Sequence, residues 1–308
     1  MSDPPELVPL GRTDVQVSRL GIGAWAWGDR LYWGYGRSYT DDDLRAAFVA
    51  ARYAGVNWFV SAEVYGFGRS EEILGRLLPS ATSTVVASKF MPFPWRLGRG
   101  GLRDALRGSL RRLGIERIDL YQVHWPMPPV PIETWMDALA EAVQLGHVRA
   151  VGVSNYNVDQ MRRAHQALAR HGVPLASNQV HYNLLERSPE RSGLLETCRE
   201  LGVTLIAYSP LAQGLLTGKY SKESSPPGIR AARLRGRLRE IEPVVAALRE
   251  IGEARGRPPA QVALNWLICK GALPIPGAKN AQQAEQNAGA LGWRLTDGEV
   301  AALDAVAP

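Results

Sequence analysis

The sequence predicts an α/β protein of the (β/α)8, or TIM-barrel, class: eight parallel strands closed into a cylinder, each followed by a helix, with residues 1–308 forming one domain. Three observations carry that reading. Short apolar runs rich in Val, Ile or aromatic residues recur eight times, bounded by Gly, Pro or Asn, as strands buried on both faces do. Segments with helical apolar spacing lie between them, and several end on a glycine suited to the left-handed position after a helix. Right-handed crossovers let such a chain close or wind into an open sheet, and a count of eight favours closure.

Taken in order, residues 7–10 and 15–18 around Gly11 read as a hairpin that plugs the bottom of the barrel. The strand at 20–25 follows, then a long connection at 28–40 and a helix at 41–54, with Thr40 as N-cap and Gly55 behind it. Strands at 57–62, 84–90, 118–125, 148–154 and 176–182 alternate with helices at 70–78, 102–113, 132–145, 158–170 and 194–201. The strand at 204–209 leads into a second long connection, from 211 to about 240, and a helix at 243–255. A strand at 272–276, a helix at 281–290 and a terminal helix from 296 to about 306 complete the chain. Both long connections leave strand C-termini, the face on which barrels of this class carry their sites.

Composition narrows the function classes. At 45% hydrophobic and 21% charged residues the chain builds a large core, which excludes a disordered or low-complexity protein. Only Cys198 and Cys269 are available, both inside apolar runs, so they read as reduced thiols and not as a disulfide framework. No basic segment followed by an apolar one opens the chain, and no window approaches 18 apolar residues, so a cytoplasmic protein without a membrane span is expected. The net charge of +6 is spread over the chain; its densest run, Arg230 to Arg239, has no interleaved aromatics and reads as a solvated segment, with no nucleic-acid partner. The histidines at 124, 147, 165, 171 and 181 show no paired ligand spacing on one strand, so no metal is expected.

The strand-end rule selects the chemistry. Lys89 closes the third strand and is the sole lysine before residue 219, in a chain that otherwise uses arginine for positive charge. An ammonium there is partly desolvated, which lowers its pKa. Tyr65 opens the loop after the second strand, and His124 sits at the end of the fourth. Three such groups at successive strand ends fit a general acid: the phenol donates a proton, the lysine tunes it, and the histidine orients a substrate carbonyl.

At this point the sequence resembles the aldo-keto reductase superfamily over nearly its whole length. The resemblance is carried by Leu20-Gly21-Ile22-Gly23-Ala24-Trp25, by Ala62-Glu63-Val64-Tyr65-Gly66 and by Tyr121-Gln122-Val123-His124-Trp125-Pro126. It continues through Gly152-Val153-Ser154-Asn155, Gln179-Val180-His181-Tyr182-Asn183, Ala207-Tyr208-Ser209-Pro210-Leu211 and Pro274-Ile275-Pro276-Gly277-Ala278-Lys279. Gly214 to Tyr220 is similar to the bacterial and chloroplast branch, and the C-terminal part to plant pyridoxal reductase-like members.

The resemblance implies an NADPH-dependent reductase of aldehydes and ketones. Tyr65 would be the proton donor, assisted by Lys89 and His124. Ser154, Asn155 and Gln179 would hold the nicotinamide carboxamide, Tyr208 would stack beneath the ring, and Ser209, Leu211, Gln213 and Gly214 would grip the pyrophosphate. Lys279 would meet the 2′-phosphate, with Gln283, Gln286 and Asn287 near the adenosine; Gly23, Ala24, Trp25, Ile275 and Gly277 complete the expected cofactor wall. One position departs from the family pattern. An aspartate is usual on the second strand, and here the run is Phe59-Val60-Ser61-Ala62, so Val60 takes its place. A weakened reductase follows, with Ser61 able to offer Lys89 a hydroxyl but no charge.

Trp25, Trp27, Trp33, Tyr35, Trp95 and Trp125 fall on loops of the same face. Of these, Trp25, Trp33, Trp95 and Trp125 are the expected walls of a pocket for a small carbonyl compound, aromatic or heteroaromatic. A monomer or weak homo-oligomer is expected. The second reading, which Val60 favours, is an NADP(H)-binding sensor or scaffold with little turnover.

Overall fold

The computed structural model describes residues 6–78, 84–220 and 241–308; the arginine run and the later part of the 211–240 connection lie outside them. Eight strands form one parallel sheet in chain order: β3 (Ile22–Gly23), β4 (Trp58–Val60), β5 (Val85–Phe90), β6 (Ile118–Val123), β7 (Val148–Ser154), β8 (Leu175–His181), β9 (Thr204–Tyr208) and β10 (Leu273–Ile275). The sheet closes where Gly21 N–H donates to the Pro274 carbonyl (3.1 Å) and Gly23 N–H to that of Pro276 (3.0 Å). A Cβ at Gly23 would stand 2.9 Å from the Ile275 oxygen, so the seam depends on a residue without one. This is the predicted (β/α)8 barrel.

Alternation along the strands sorts side chains into two layers. Trp58, Val60, Val85, Ala87, Leu120, Ala150, Ile206, Leu273 and Ile275 point inward and fill the barrel. Phe59, Val86, Phe90, Tyr121, Val123, Val151 and Ala207 face the helices. The N-terminal hairpin, β1 (Leu7–Pro9) and β2 (Gln16–Ser18), pairs antiparallel and delivers Leu10, Val15 and Val17 into the inner layer, with the Trp58 indole donating to the Ser18 carbonyl (2.9 Å). Apolar side chains therefore stopper the bottom, and polar ones are left to the top.

The helices are α1 (Asp41–Tyr53), α2 (Arg69–Leu77), α3 (Arg99–Leu113), α4 (Ile132–Gln144), α5 (Val158–Ala169), α6 (Ser188–Arg191), α7 (Leu194–Leu201), α8 (Glu242–Arg255), α9 (Pro259–Cys269), α10 (Ala281–Ala288) and α11 (Asp297–Val306). Thr40 does cap α1, its N–H donating to Asp43 (2.8 Å). The strands are shorter than expected at the first two positions, because only the segments that meet a neighbour in register pair. Helix α3 starts three residues early, through Gly100 and Gly101, whose low helix propensity hid its first turn.

Helix α9 was not expected. Every residue from Gln261 to Ile268 is buried, so the segment has no polar face and no amphipathic period. Of its two buried amide side chains, Asn265 donates to the Ala290 and Trp293 carbonyls and accepts from Leu295 N–H, while the Gln261 Oε1 has no hydrogen-bond partner among the described residues. Cys198 is buried and Cys269 half-buried, both free thiols. No helix among the described residues is long and apolar enough to cross a membrane.

Candidate active site

A cavity of about 790 Å³ opens at the C-terminal ends of the strands. At one end it is lined by Val60, Tyr65, Lys89 and His124, at the other by Lys279, Gln283, Gln286 and Asn287. Inward-facing strand ends and the loops after them supply the wall between.

Tyr65 follows β4 on a tight turn. Gly66 adopts φ +56, and a Cβ there would lie 2.9 Å from the Gly28 oxygen, so the turn that aims Tyr65 depends on glycine. Burial raises the Tyr65 phenol above its ordinary value, with Tyr208 adding to the shift. Lys89 is wholly enclosed. Its Nζ donates to the Ser61 carbonyl (2.8 Å) and reaches the Tyr65 hydroxyl at 3.4 Å. Burial lowers its ammonium to about 7, opposed by the field of Glu71. His124 packs edge-on to Tyr65 with ring centroids 5.8 Å apart; burial and then the Lys89 charge push it down to about 3, so it acts as a neutral imidazole.

The expected help from the Ser61 hydroxyl is corrected by the structure. That hydroxyl faces the other way and donates to Ser70 Oγ (2.8 Å), which in turn donates to the Ala24 carbonyl (2.8 Å). It is the Ser61 main-chain oxygen that meets Lys89. Glu63 is also committed elsewhere, to Arg96 and to Met91 N–H. Glu71 lies behind β5, fully buried, paired with Arg112 (2.7 Å) and accepting from the Ser88 hydroxyl.

A polar chain crosses the floor of the cavity. Tyr208 donates to Asn155 Oδ1 (3.0 Å), Asn155 Nδ2 to the His124 carbonyl (3.0 Å), and Ser154 Oγ to the Gln179 carbonyl (2.7 Å). Asn155 holds a left-handed backbone, φ +62, which asparagine tolerates better than most residues. Gln122 was not singled out from sequence, yet it is fully buried and orients Gln179 by donating to its Oε1 (3.1 Å). Its position two residues before His124, on the same strand face, was the available signal.

Beyond Tyr208 the backbone turns left-handed at Ser209, Ala212 and Gln213 before Gly214, forming a concave rim with Leu211. Gln213 accepts a hydrogen bond from Tyr32, a residue of the first long connection that sequence reading also passed over. Ile275 and Gly277 line the cavity from β10 and the turn after it. Asn287 donates to the Gly277 carbonyl (3.1 Å), and Gln283 accepts from Lys279 N–H (3.0 Å). The Lys279 ammonium sits over the Trp33 and Tyr39 rings, 5.5 and 5.0 Å from their centroids.

The aromatic wall is smaller than expected. Trp25, Trp33 and Trp125 line the cavity; Trp25 stacks on Tyr32 at 5.4 Å and meets Trp33 edge-on at 5.3 Å. Trp95 does not line it. It is 72% exposed and stacked on Phe93, because Arg96 is drawn back to Glu63 and turns the loop outward. Trp27 lies in the core with its indole on the Ala278 carbonyl, and Tyr35 bonds Asp41. Ala24 is buried behind the wall, leaving Ala26 on the surface of the cavity.

A closed parallel barrel with a tyrosine, a lysine and a histidine at successive strand ends, facing one long cavity, defines an oxidoreductase of the barrel class. The chain belongs to the aldo/keto reductase family, which it matches over residues 19–308. It is 44% identical over 305 residues to the chloroplastic pyridoxal reductase of Arabidopsis thaliana, covering 94% of this chain and 83% of that protein. Against the L-glyceraldehyde 3-phosphate reductase of Escherichia coli it is 32% identical, over 91% of this chain and 86% of the other. A solved aldo-keto reductase from Klebsiella pneumoniae in complex with NADPH superposes with a TM-score of 0.78 at 30% identity, covering 99% and 95% of the two chains. Carbonyl reduction with a nicotinamide cofactor is thus the family's general chemistry.

Proposed function

We propose that this protein reduces small aldehydes and ketones with NADPH, slowly for its family, with Tyr65 as proton donor. The observation that carries the proposal is the shape of the cavity: the Tyr65, Lys89 and His124 end is continuous with an end that offers Lys279 and the start of α10. The residues fit a dinucleotide phosphate. Tyr208 presents a half-buried ring as a platform, the backbone from Ser209 to Gly214, left-handed at Ser209, Ala212, Gln213 and Gly214, leaves a concave rim, and Lys279 supplies a cation beside a helix start. When bound there, NADPH would supply the hydride.

The chain's own groups do the rest. Asn155 and Gln179, fixed by Tyr208 and Gln122, present amide groups to a carboxamide; His124, neutral, hydrogen-bonds a substrate carbonyl; and Tyr65 donates its proton to the oxygen that becomes the alcohol. Lys89 assists only while charged. With Val60 in place of a carboxylate, its neighbours are neutral oxygens, and burial favours the neutral amine, which leaves Tyr65 a weaker acid. Trp25, Trp33 and Trp125 suit a flat aromatic or heteroaromatic substrate.

Titration of intrinsic tryptophan fluorescence with NADPH and NADH, followed by turnover of an aromatic aldehyde, tests the proposal. NADPH is expected to bind more tightly, Lys279→Ala to erase that preference, and Tyr65→Phe to abolish turnover without weakening binding. Tight NADPH binding with no turnover of any aldehyde would instead favour a cofactor-binding sensor, the reading that the missing carboxylate at position 60 supports.

A further inference from the structure

Lys89 is placed where an amine loses its proton and still faces a carbonyl cavity. Both groups its Nζ touches, the Ser61 carbonyl and the Tyr65 hydroxyl, are neutral. Among the described residues no carboxylate makes a salt bridge to it: Glu63 is held by Arg96, and Glu71 by Arg112 on the other side of β5. Val60, one residue before Ser61, adds an isopropyl wall to the same end of the cavity. A lysine in such a setting is a nucleophile in waiting, since a neutral amine has a free electron pair and an ammonium has none.

We propose that Lys89 captures aldehydes in this cavity as a reversible imine, an activity separate from reduction and permitted by Val60. The inference rests on reading the cavity as a carbonyl site, and it does not require hydride transfer. A carbonyl oxygen hydrogen-bonded to Tyr65 lies beside a hydroxyl that is 3.4 Å from Nζ, and Lys89 and Tyr65 line the same end of the cavity, so the carbonyl carbon stands next to the amine. The Nζ electron pair forms a C–N bond as the carbonyl π pair moves to oxygen, which takes the Tyr65 proton. The nitrogen returns a proton to the tyrosinate, giving a neutral carbinolamine. Tyr65 then protonates the hydroxyl, water leaves, the nitrogen pair forms the C=N bond, and the N–H proton returns to Tyr65. Amine and aldehyde become imine and water, with no change of oxidation state. Unhindered aromatic aldehydes are the class best suited, because Trp25 and Trp125 wall the approach.

With an ammonium lowered to about 7 by burial, most of the Lys89 population is neutral at pH 7.5, against about one in a thousand for an exposed lysine. The test uses the full-length protein without added cofactor, benzaldehyde and cyanoborohydride at pH 7.5, with peptide mass mapping. Trapping adds the mass of the aldehyde less one oxygen. Lys89 is expected to be labelled on the order of tenfold faster than the exposed Lys219. In Val60→Asp, labelling is expected to fall to the level of Lys219, whereas Val60→Asn, similar in size and uncharged, retains it. Labelling of Lys89 no faster than Lys219 overturns the proposal, as does equal labelling in Val60→Asp or loss in Val60→Asn. If the protein reduces benzaldehyde with NADPH yet Lys89 stays unlabelled, the imine falls alone; if it neither reduces nor labels, the carbonyl site falls with it.

Discussion

Replacing Val60 by aspartate puts a carboxylate beside the enclosed Lys89 amine, and the size of the effect follows from that amine's titration. With its ammonium near 7, the charged fraction is about one half at pH 7, one tenth at pH 8 and one hundredth at pH 9. An opposite charge in contact raises an ammonium by about 1–3 units, which keeps the lysine of Val60→Asp charged to a pH that much higher than in the parent. If Tyr65 needs the charge, the rate advantage of the variant grows about fivefold from pH 7 to 8 and about ninefold from pH 8 to 9, until its own lysine titrates. A pH-independent gain from better orientation, up to about 10²–10⁴, multiplies it. Stopped-flow single turnovers of NADPH oxidation by an aromatic aldehyde, from pH 6.5 to 9 and at saturating cofactor, measure both parts. A ratio of variant to parent that is flat with pH would refute the role given to the lysine charge. A variant no faster than the parent at pH 8.5 would refute the damage assigned to Val60.

Burying Lys89 costs stability in a defined window. Its folded value, about 7, lies below the ordinary 10.5, so the unfolded chain binds more protons between those limits and stability rises with pH across them. Lys89→Met removes the cost, on the order of 3–5 kcal/mol at pH 6.5, so the variant is expected to melt several degrees higher there and to converge on the parent near pH 10.5; a lower melting temperature at pH 6.5 would contradict the enclosed-amine picture. Tyr32→Phe removes the hydroxyl that reaches Gln213 across the cavity. One hydrogen bond of about 1 kcal/mol corresponds to about a fivefold faster release of NADPH, read by stopped-flow fluorescence, and an unchanged rate would show that the contact does not retain cofactor. Glu190 is raised by burial but lowered more by Arg187, Lys270 and Tyr182, to about 2. Its contribution is present above pH 4.5 and lost as pH falls toward 2, so Glu190→Gln is expected to flatten the acid limb of a urea-stability profile; an unaltered limb would remove it from the account.

The architecture was legible because its signals are local. Eight apolar runs, their bounding glycines and the helical spacing between them are properties of short windows, and they suffice for the element order, the barrel and the strand ends on which Tyr65, Lys89 and His124 stand. Where a window carried no contrast the reading failed: α9, buried on every side, has no polar stripe to mark it. Val60 was also visible as a departure at one position, and with it a lysine lacking a counter-charge; which Ser61 oxygen that lysine meets was not. Peptide geometry decides that the Ser61 carbonyl, and not its hydroxyl, faces Lys89, while Ser70 takes the hydroxyl away.

Trp95 shows the same division at the pocket. Its loop and residue type promised a wall, and an ion pair between Arg96 and Glu63 turned it to solvent. The residues missed, Gln122 and Tyr32, act through partners remote in sequence: Gln122 on Gln179, 57 residues away, and Tyr32 on Gln213, 181 residues away. Periodicity and strand-end chemistry belong to the chain itself. Which oxygen an enclosed amine meets is settled only when the barrel closes and brings distant loops within hydrogen-bonding distance.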